Sequence, residues 1–584
     1  MSPSRVIPTQ AATDLPTFTI LIEGEDIGAR YGTLGITVSK SVNRIPKARL
    51  ILADGDVAAG DFEISSGDLF VPGKKAEIKG GYHNDEDTIF KGIITGHSIK
   101  AIENRNPVLQ IDLKDESVKM TAGRRNRYFE DVKDSEVIEE LIGGYGLDHD
   151  VNETAVTHKE MVQYYTTDWD FMIARAEMNS RLVFVDDGKI TVKKPDPDTE
   201  PLLNLAFGTN VISFEAGMDA RDQYQASNSR SWNYTSQEVN EEEGDDPGLK
   251  ETGNIPAEDL SAVLDLDSYL QQHGGRIDDA ELKAWADSKL LKSRLAKVKG
   301  RVRITGFSDI KPGHVIELER FGDRFNGPVF VSSVHHQRSG ESAWYTDIGF
   351  GLDQEWFINR FDDIVKRQAS GMVPPIHGLH AGVVTNIHND PDGENRIKVR
   401  LPLIDPQGEG VWARVISPDA GNGRGMVFRP EVEDEVIVGC INDDPRDPVI
   451  LGMVHSSAKP SPIDAEEENN EKGFVTRSEL KLIFDDDKKS ITLETPNGNK
   501  WILSDDDGCI QVEDENGNKV NLSQDGITFE CNGDLKLKAT GDVVIEGTNV
   551  EAKASAAFKA EGGSGAELTS NGQTVVKGSL VTIN

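Results

Sequence analysis

The sequence predicts a mainly β protein with a few helices, in which β-barrels are followed by a C-terminal intertwined trimeric β-helix. Two observations carry this. Residues 533–584 fall into blocks of eight, GDLKLKAT, GDVVIEGT, NVEAKASA, AFKAEGGS, GAELTSNG and QTVVKGSL, then VTIN, with apolar and polar residues alternating inside the blocks. Upstream, most of the patterned runs have the two-residue period of half-buried strands and are separated by Gly, Pro, Asn and Asp turns.

One short alternating strand buries too little surface to stand alone, so the blocks must stack, and several identical chains must wind together, each giving one strand per face. At ~4.8 Å per block the stack would be a needle roughly 30 Å long. Leu535, Leu537, Val543, Ile545, Val550, Phe558, Leu568 and Val576 are expected to form its core and to hold the trimer together. The closing residues Leu580, Val581, Thr582, Ile583 and Asn584 would present unpaired strand ends, a liability in water that a tip protein would cover. A low-complexity acidic tail is the bland alternative, and the persistent alternation argues against it.

The net charge of −37 disfavours binding to nucleic acid or to anionic membrane through broad electrostatics, because phosphate contact needs a positive surface. Cys440, Cys509 and Cys531 are widely spaced and give neither a metal pattern nor a disulfide framework. The first residues, MSPSRVIPTQAATDLP, lack the apolar core of a signal peptide, and no run reaches 18 apolar residues. The expected product is a soluble protein made in the cytoplasm.

In chain order, residues 1–15 read as a flexible arm. Strands follow from Phe18 to Gly24 and from Ile36 to Leu52, then in KKAEIKGGY, TIFKGIITGHSIKA and PVLQIDLKD, with corners expected at Gly80-Gly81 and Gly92. Ser135 is expected to cap a helix stopped by Gly143-Gly144, and Thr167 or Asp168 opens a second. Asp186-Asp187-Gly188 reads as a hairpin turn. Residues 236–256 are acidic and rich in Gly and Pro, and read as a solvated loop. The strongest helix starts at Asp278, where Asp278 and Glu281 have capping-box spacing and Leu282, Trp285, Leu290 and Leu291 supply an apolar face. Pro312-Gly313 turns into a strand for which GPVFVSSVHHQ is the expected partner.

A hinge at 371–376 leads to a block at 377–458 whose five alternating strands and Asp/Pro/Gly turns suggest a small closed barrel such as an OB-fold. A polar linker at 459–475 and a neck of hairpins at 476–532 complete the chain before the needle. NGNKWILSDDDG and NGNKVNLSQDG repeat in that neck at a spacing of 19 residues, each opened by an Asn-Gly turn.

The order of strands, DWDFMIARAE helix, VDDG hairpin, long helix and PGHVIEL strand resembles the hub half of VgrG-type spike proteins from contractile injection systems, the family of type VI secretion spikes, extracellular injection particles and phage tail hubs. The resemblance makes 16–370 a phage-hub-like domain of β-barrels plus helices. The barrel resembles the family more closely, in Asp390-Pro391, Arg396 to Leu401, Trp412-Ala413-Arg414, the turn that holds Gly423 and Gly425, Pro430 to Val436 with Asp434, Glu435 and Val436, and Asp444 to Gly452. Glu433 stands where many relatives have Gly. The resemblance implies a homotrimeric spike that docks tube rings and baseplate proteins at one end and a PAAR-like tip protein at the other. It further implies carriage of cargo effectors, delivery out of the cell or into a target cell, and transient contact with the target membrane as it is punctured.

No catalytic, metal or cofactor residue is expected. Adjacent His335 and His336 on a strand face opposite sides, and His377 and His380 lack Cys or carboxylate partners. The barrel's balanced charge and lack of an aromatic ladder argue against nucleic acid. The span from Ser456 to Ser478 is too short for a muramidase, the repeats run to Asn584, and no His follows His455 to clamp a metal at the tip. The cap is therefore expected to be a separate protein. Two other classes fit less well: a β-helical glycan-degrading tail spike, which needs clustered acidic and aromatic residues, and a receptor-binding adhesin.

Overall fold

The computed structural model describes residues 16–28, 31–196, 198–339 and 343–583. The expected arm at 1–15 and the last expected tip residue, Asn584, lie outside the described residues. Internal contacts divide the chain into two units, 1–377 with 440–446, and 378–439 with 447–584.

The first unit is built on one continuous 13-stranded sheet. Its centre joins Thr33–Ser41 to Gly327–Ser339, with Val38 opposite His336, so segments some 300 residues apart share one ladder. Alternation fixes the two faces: Ile36, Val38, Leu50 and Leu52 point into the core, while Thr37, Ser39, Lys47 and Arg49 point away. Two cores lie against this sheet. One gathers Leu50, Phe90, Leu109, Ile111 and Trp344, and the other Val302, Ile304, Leu318, Val331 and Ile348.

Lys75–Tyr82, Asp85–Lys100 and Val108–Lys114 pair as expected. Gly80, Gly81 and Gly92, expected as corners, lie inside strands instead. A Cβ on Gly81 would stand 1.8 Å from the Asp85 carbonyl oxygen, and one on Gly92 2.2 Å from that of Lys114. These glycines admit close backbone approach within the sheet rather than turning the chain.

A third core packs the helices Asp134–Gly143 and Asp168–Met178 against the hairpin of Leu182–Asp186 and Lys189–Lys193, through Ile138, Leu141, Met172, Ile173, Val183 and Ile190. Thr167 caps its helix as expected, its hydroxyl accepting the Asp170 N–H at 3.0 Å. Ser135 does not cap. The helix begins at Asp134, and Ser135 is buried in the first turn, where its N–H donates to Thr154 Oγ1 at 3.1 Å and its hydroxyl accepts the Thr154 N–H at 3.2 Å. Asp134 is taken by tertiary partners, bonding Arg175, His158 at 2.9 Å and Asn179 at 3.0 Å. Burial raises its carboxyl, but the His158 hydrogen bond and the Arg175 charge outweigh this and bring it down to about 2.

The long helix spans Asp279–Ala296 and buries Leu282, Leu290 and Leu291. Its expected capping box does not form: Asp278 makes no side-chain cap bond, and the Glu281 carboxylate instead lies 3.8 Å from His158 Nδ1. Val315–Glu319 pairs with Gly327–Ser339 as expected. The acidic stretch at 236–256 is not all loop. Glu238–Glu243 is a strand on Ala226–Asn233, with Arg230 2.9 Å from Glu241, so cross-strand pairing overrides the low strand propensity of a glutamate run.

His336 is buried with Nδ1 3.0 Å from Thr346 Oγ1, and burial pushes its imidazole down to about 3. His335, on the opposite face, lies 2.7 Å from Ser39 Oγ. His377, expected to lack a carboxylate partner, has one after all: its Nδ1 is 3.0 Å from Asp443, which the chain brings back from 66 residues further on. Among the described residues, no three His, Cys, Asp or Glu side chains gather as a metal would require, and no helix is long and apolar enough to cross a membrane.

Candidate functional site: the barrel and the C-terminal sheet

In the second unit, His380–Asn386, Ile397–Arg400, Val411–Val415, Pro448–Met453 and Glu435–Cys440 close a five-stranded barrel. Val384, Ile397, Val399, Ala413, Val436, Val438 and Ile450 fill it. The motif residues hold its turns. The Asp390 carboxylate accepts the N–H groups of Asp392, Glu394 and Arg396 at 3.0–3.2 Å and the Arg396 guanidinium at 2.7 Å. The Arg396 hydrogen bond keeps that carboxyl well below the usual carboxylate range. Pro391 follows in the same turn.

In the next turn Asp419 binds Arg424 at 2.6 Å, and Gly423 and Gly425 take φ of 67° and 138°. A Cβ on Gly425 would stand 2.5 Å from the Asp419 carbonyl oxygen. Asp434 accepts the Glu431 N–H at 2.8 Å and faces Lys459 at 3.0 Å. Pro430 is buried, Glu435 and Trp412 are half-buried, and Lys398 Nζ lies 5.9 Å from the centre of the Trp412 ring. Arg414 is exposed on its strand. Glu433 takes φ of 73°, in the left-handed region that favours glycine.

The segment expected as linker ends in a strand, Glu471–Val475, which opens a seven-stranded antiparallel meander running to Gly526–Glu530. Three corners repeat at 19-residue spacing, where the N–H of Thr476, Thr495 and Asp514 donates to the carbonyl four residues on at 2.9–3.0 Å. The Asn-Gly pairs mark two of them. The first, with Arg477-Ser478-Glu479, carries no glycine and was not legible.

The register makes this sheet two-faced. Leu482 lies opposite Leu493, Leu493 opposite Trp501, Trp501 opposite Val512, Val512 opposite Val520, and Val520 opposite Phe529. Phe484, Ile491, Leu503, Ile510, Leu522 and Ile527 form a parallel row. The other face carries charge: Glu494 lies 3.3 Å from Lys500 and 3.9 Å from Lys481, and Glu513 stands opposite Lys500 and Lys519. Sequence reading found the hairpins but missed the faces. The signal was present, since Lys481, Lys500 and Lys519 stand 19 apart. Within one chain the apolar face is largely uncovered: Trp501 is 48% exposed and Phe529 65%.

Residues 533–583 contain no strand in the single chain. The residues expected in the needle core, Leu535, Leu537, Val543, Ile545, Val550, Phe558, Leu568 and Val576, are all exposed, as are Leu580, Val581, Thr582 and Ile583. The chain does not bring them together by itself.

Known families match both units. The family described as the Alg8 N-terminal domain matches residues 12–339, more than half the chain. The type VI secretion system/phage-baseplate injector OB domain matches residues 380–455. The type VI secretion system spike protein VgrG4b of Pseudomonas aeruginosa is 29% identical over 243 residues, 37% of this chain and 29% of that protein. Spike protein VgrG1b of the same organism is 22% identical over 434 residues, 70% of this chain and 57% of that one, so the chain spans less than two thirds of these curated relatives. Among solved structures, a tail protein of Neisseria meningitidis MC58 is 10% identical with a TM-score of 0.43, covering 59% of this chain and 98% of its own. The Francisella PdpA-VgrG complex is 11% identical with a TM-score of 0.39, covering 89% and 80%. With the Alg8 N-terminal domain matched over more than half its length, the chain belongs to that family, and the injector OB domain behind it and the curated spike-protein relatives support a VgrG-type spike.

Proposed function

We propose that three copies of this chain form the central spike of a contractile injection machine, docking the inner tube and baseplate at the hub end and a PAAR-like tip protein at the needle end. The observation that carries this reading is the apolar face of the C-terminal sheet. Seven strands align Val, Ile, Leu, Phe and Trp in continuous register, and a single chain leaves that face in water. Covering it with two further copies would stabilise the assembly by about 1.5–3 kcal/mol per buried side chain. The exposed alternating residues beyond Asn532 extend the same logic.

In this reading, 16–370 is the hub, 371–376 the hinge, 377–458 the OB barrel, 459–475 the linker, 476–532 the neck and 533–584 the needle. Leu535, Leu537, Val543, Ile545, Val550, Phe558, Leu568 and Val576 meet their symmetry mates, and residues 580–584 meet the tip protein. Work is done mechanically. Sheath contraction drives the spike forward through the target membrane with any cargo effectors, interchain pairing resists unravelling, and no step requires a catalytic residue.

The test is the native mass of the full chain and of a truncation ending at Asn532. A full-length trimer is expected. A trimer that persists on truncation places assembly in the neck sheet, and one that dissociates places it in the repeats. A monomer at physiological concentration overturns the proposal.

A further inference from the structure

The outward face of the 13-stranded sheet carries a track on which Lys and Arg outnumber carboxylates, in a protein whose net charge is −37. Reading across the strands, Arg303 lies opposite Asp347, Asp347 opposite His335, His335 opposite Ser39, Ser39 opposite Lys47, and Lys47 opposite Lys114. Residues directly opposite one another share a face, so these six side chains line one track across six strands, about 24 Å at ~4.8 Å per strand. Arg301 and Arg49 flank it one step along their strands.

The carboxylates on the track do not cancel its charge. Asp347 lies 2.8 Å from Arg303 and 3.2 Å from Arg301, so one anion is shared by two cations. Arg49 is matched by Asp112 at 2.6 Å. Lys47 and Lys114 are exposed, and neither pairs with a carboxylate among the described residues. Ser39, Lys47, Arg49, Asp112, Lys114 and His335 also line one shallow pocket, giving the track a floor with hydrogen-bonding groups. Burial holds the His335 imidazole below its ordinary value; the Asp347 charge opposes this, and Arg301, Arg303 and Lys47 add to it.

We propose that this track is a docking surface for an acidic polypeptide segment of a partner protein. A polypeptide fits better than a nucleic acid for a physical reason. The large negative charge of the whole molecule repels a long polyanion at distance, whereas a short acidic segment within a Debye length of ~8 Å responds mainly to the local cations. A helix laid across the strands would present carboxylates on one face every ~5–6 Å, close to the strand spacing. None of these residues is among those proposed for trimer assembly, so this inference stands or falls independently of that reading.

The test is fluorescence anisotropy of a labelled octaglutamate peptide titrated with the full chain, at low and high salt. Binding that weakens with salt is expected, with affinity falling roughly tenfold in Lys47→Gln/Lys114→Gln and unchanged in Lys553→Gln/Lys559→Gln. Lys47 and Lys114 are exposed, so folding should survive, and circular dichroism of the variants checks it. The proposal is overturned by no binding at low salt, by equal affinity in the Lys47/Lys114 variant, or by an oligothymidylate of equal charge displacing the peptide as well as unlabelled octaglutamate does.

Discussion

Glu479 and Gly498 occupy the same corner of the C-terminal sheet one repeat apart, with φ of 62° and 90°. Gly517, a further 19 residues on, takes 82°. The backbone conformation is set by the meander rather than by the residue, and only glycine adopts it freely. Glu479→Gly is therefore expected to stabilise the sheet by about 0.5–1 kcal/mol after the added unfolded-state entropy is subtracted. Gly498→Ala should cost about 1 kcal/mol through φ alone, since no atom lies within 4 Å of its added Cβ. Urea melts of the two variants, which should shift in opposite directions, check this.

The corners are tied to one another by asparagine. The side-chain oxygen of Asn499 accepts the Glu515 N–H at 3.1 Å, and that of Asn518 accepts the Asn532 N–H at 3.0 Å. Asn499→Ala should cost about 1 kcal/mol and accelerate hydrogen exchange at the Glu515 amide. Asn499→Asp keeps that acceptor and loses only the amide's bond to Thr495 Oγ1, 3.0 Å away, so its cost should be smaller. Equal exchange rates in the two variants would remove the link between corners.

What the sequence disclosed follows from where the forces act. Local chemistry was legible: Asn-Gly corners, the Thr167 cap and the Val-Asp-Asp-Gly hairpin depend on residues within a few positions of each other. Ser135 was misread because its neighbour Asp134 is claimed by Arg175, 41 residues away, which moves the helix start. Glu238–Glu243 was misread because a glutamate run becomes a strand only beside Arg230 and its neighbours. The corner at Glu479 left no glycine to see. At the barrel the motif residues were visible, but their work as turn-holders emerged only from the bonds around Asp390 and Asp434.

Trp501 tests the uncovered apolar face. It lies between Leu493 and Val512 in the cross-strand row. If the face packs against copies of itself, Trp501→Glu removes about 3 kcal/mol of burial per chain and adds a charge that cannot be paired there. Native mass should fall from trimer toward monomer. Gln511→Glu, on the polar face of the adjoining strand beside Ile502, should leave the mass unchanged. Identical behaviour of the two variants would mean that the apolar face is not the assembly surface.

His336 sets a pH dependence for the first unit. Its buried imidazole titrates at about 3, against an ordinary value of 6.5. The folded state keeps it neutral where the unfolded chain would protonate it, so this contribution to stability is intact above pH 6.5 and is lost progressively as pH falls from 6.5 toward 3. One pH unit below 6.5 the loss is about 1.4 kcal/mol. The unfolding free energy of the parent chain should therefore drop between pH 7.5 and 5.5 by about that much more than in His336→Gln, which cannot titrate. Trp344, whose ring lies 5.7 Å from the imidazole, offers a fluorescence report on the same core. Parallel pH profiles for parent and variant would show that the imidazole takes up its proton in the folded state as readily as in the unfolded chain.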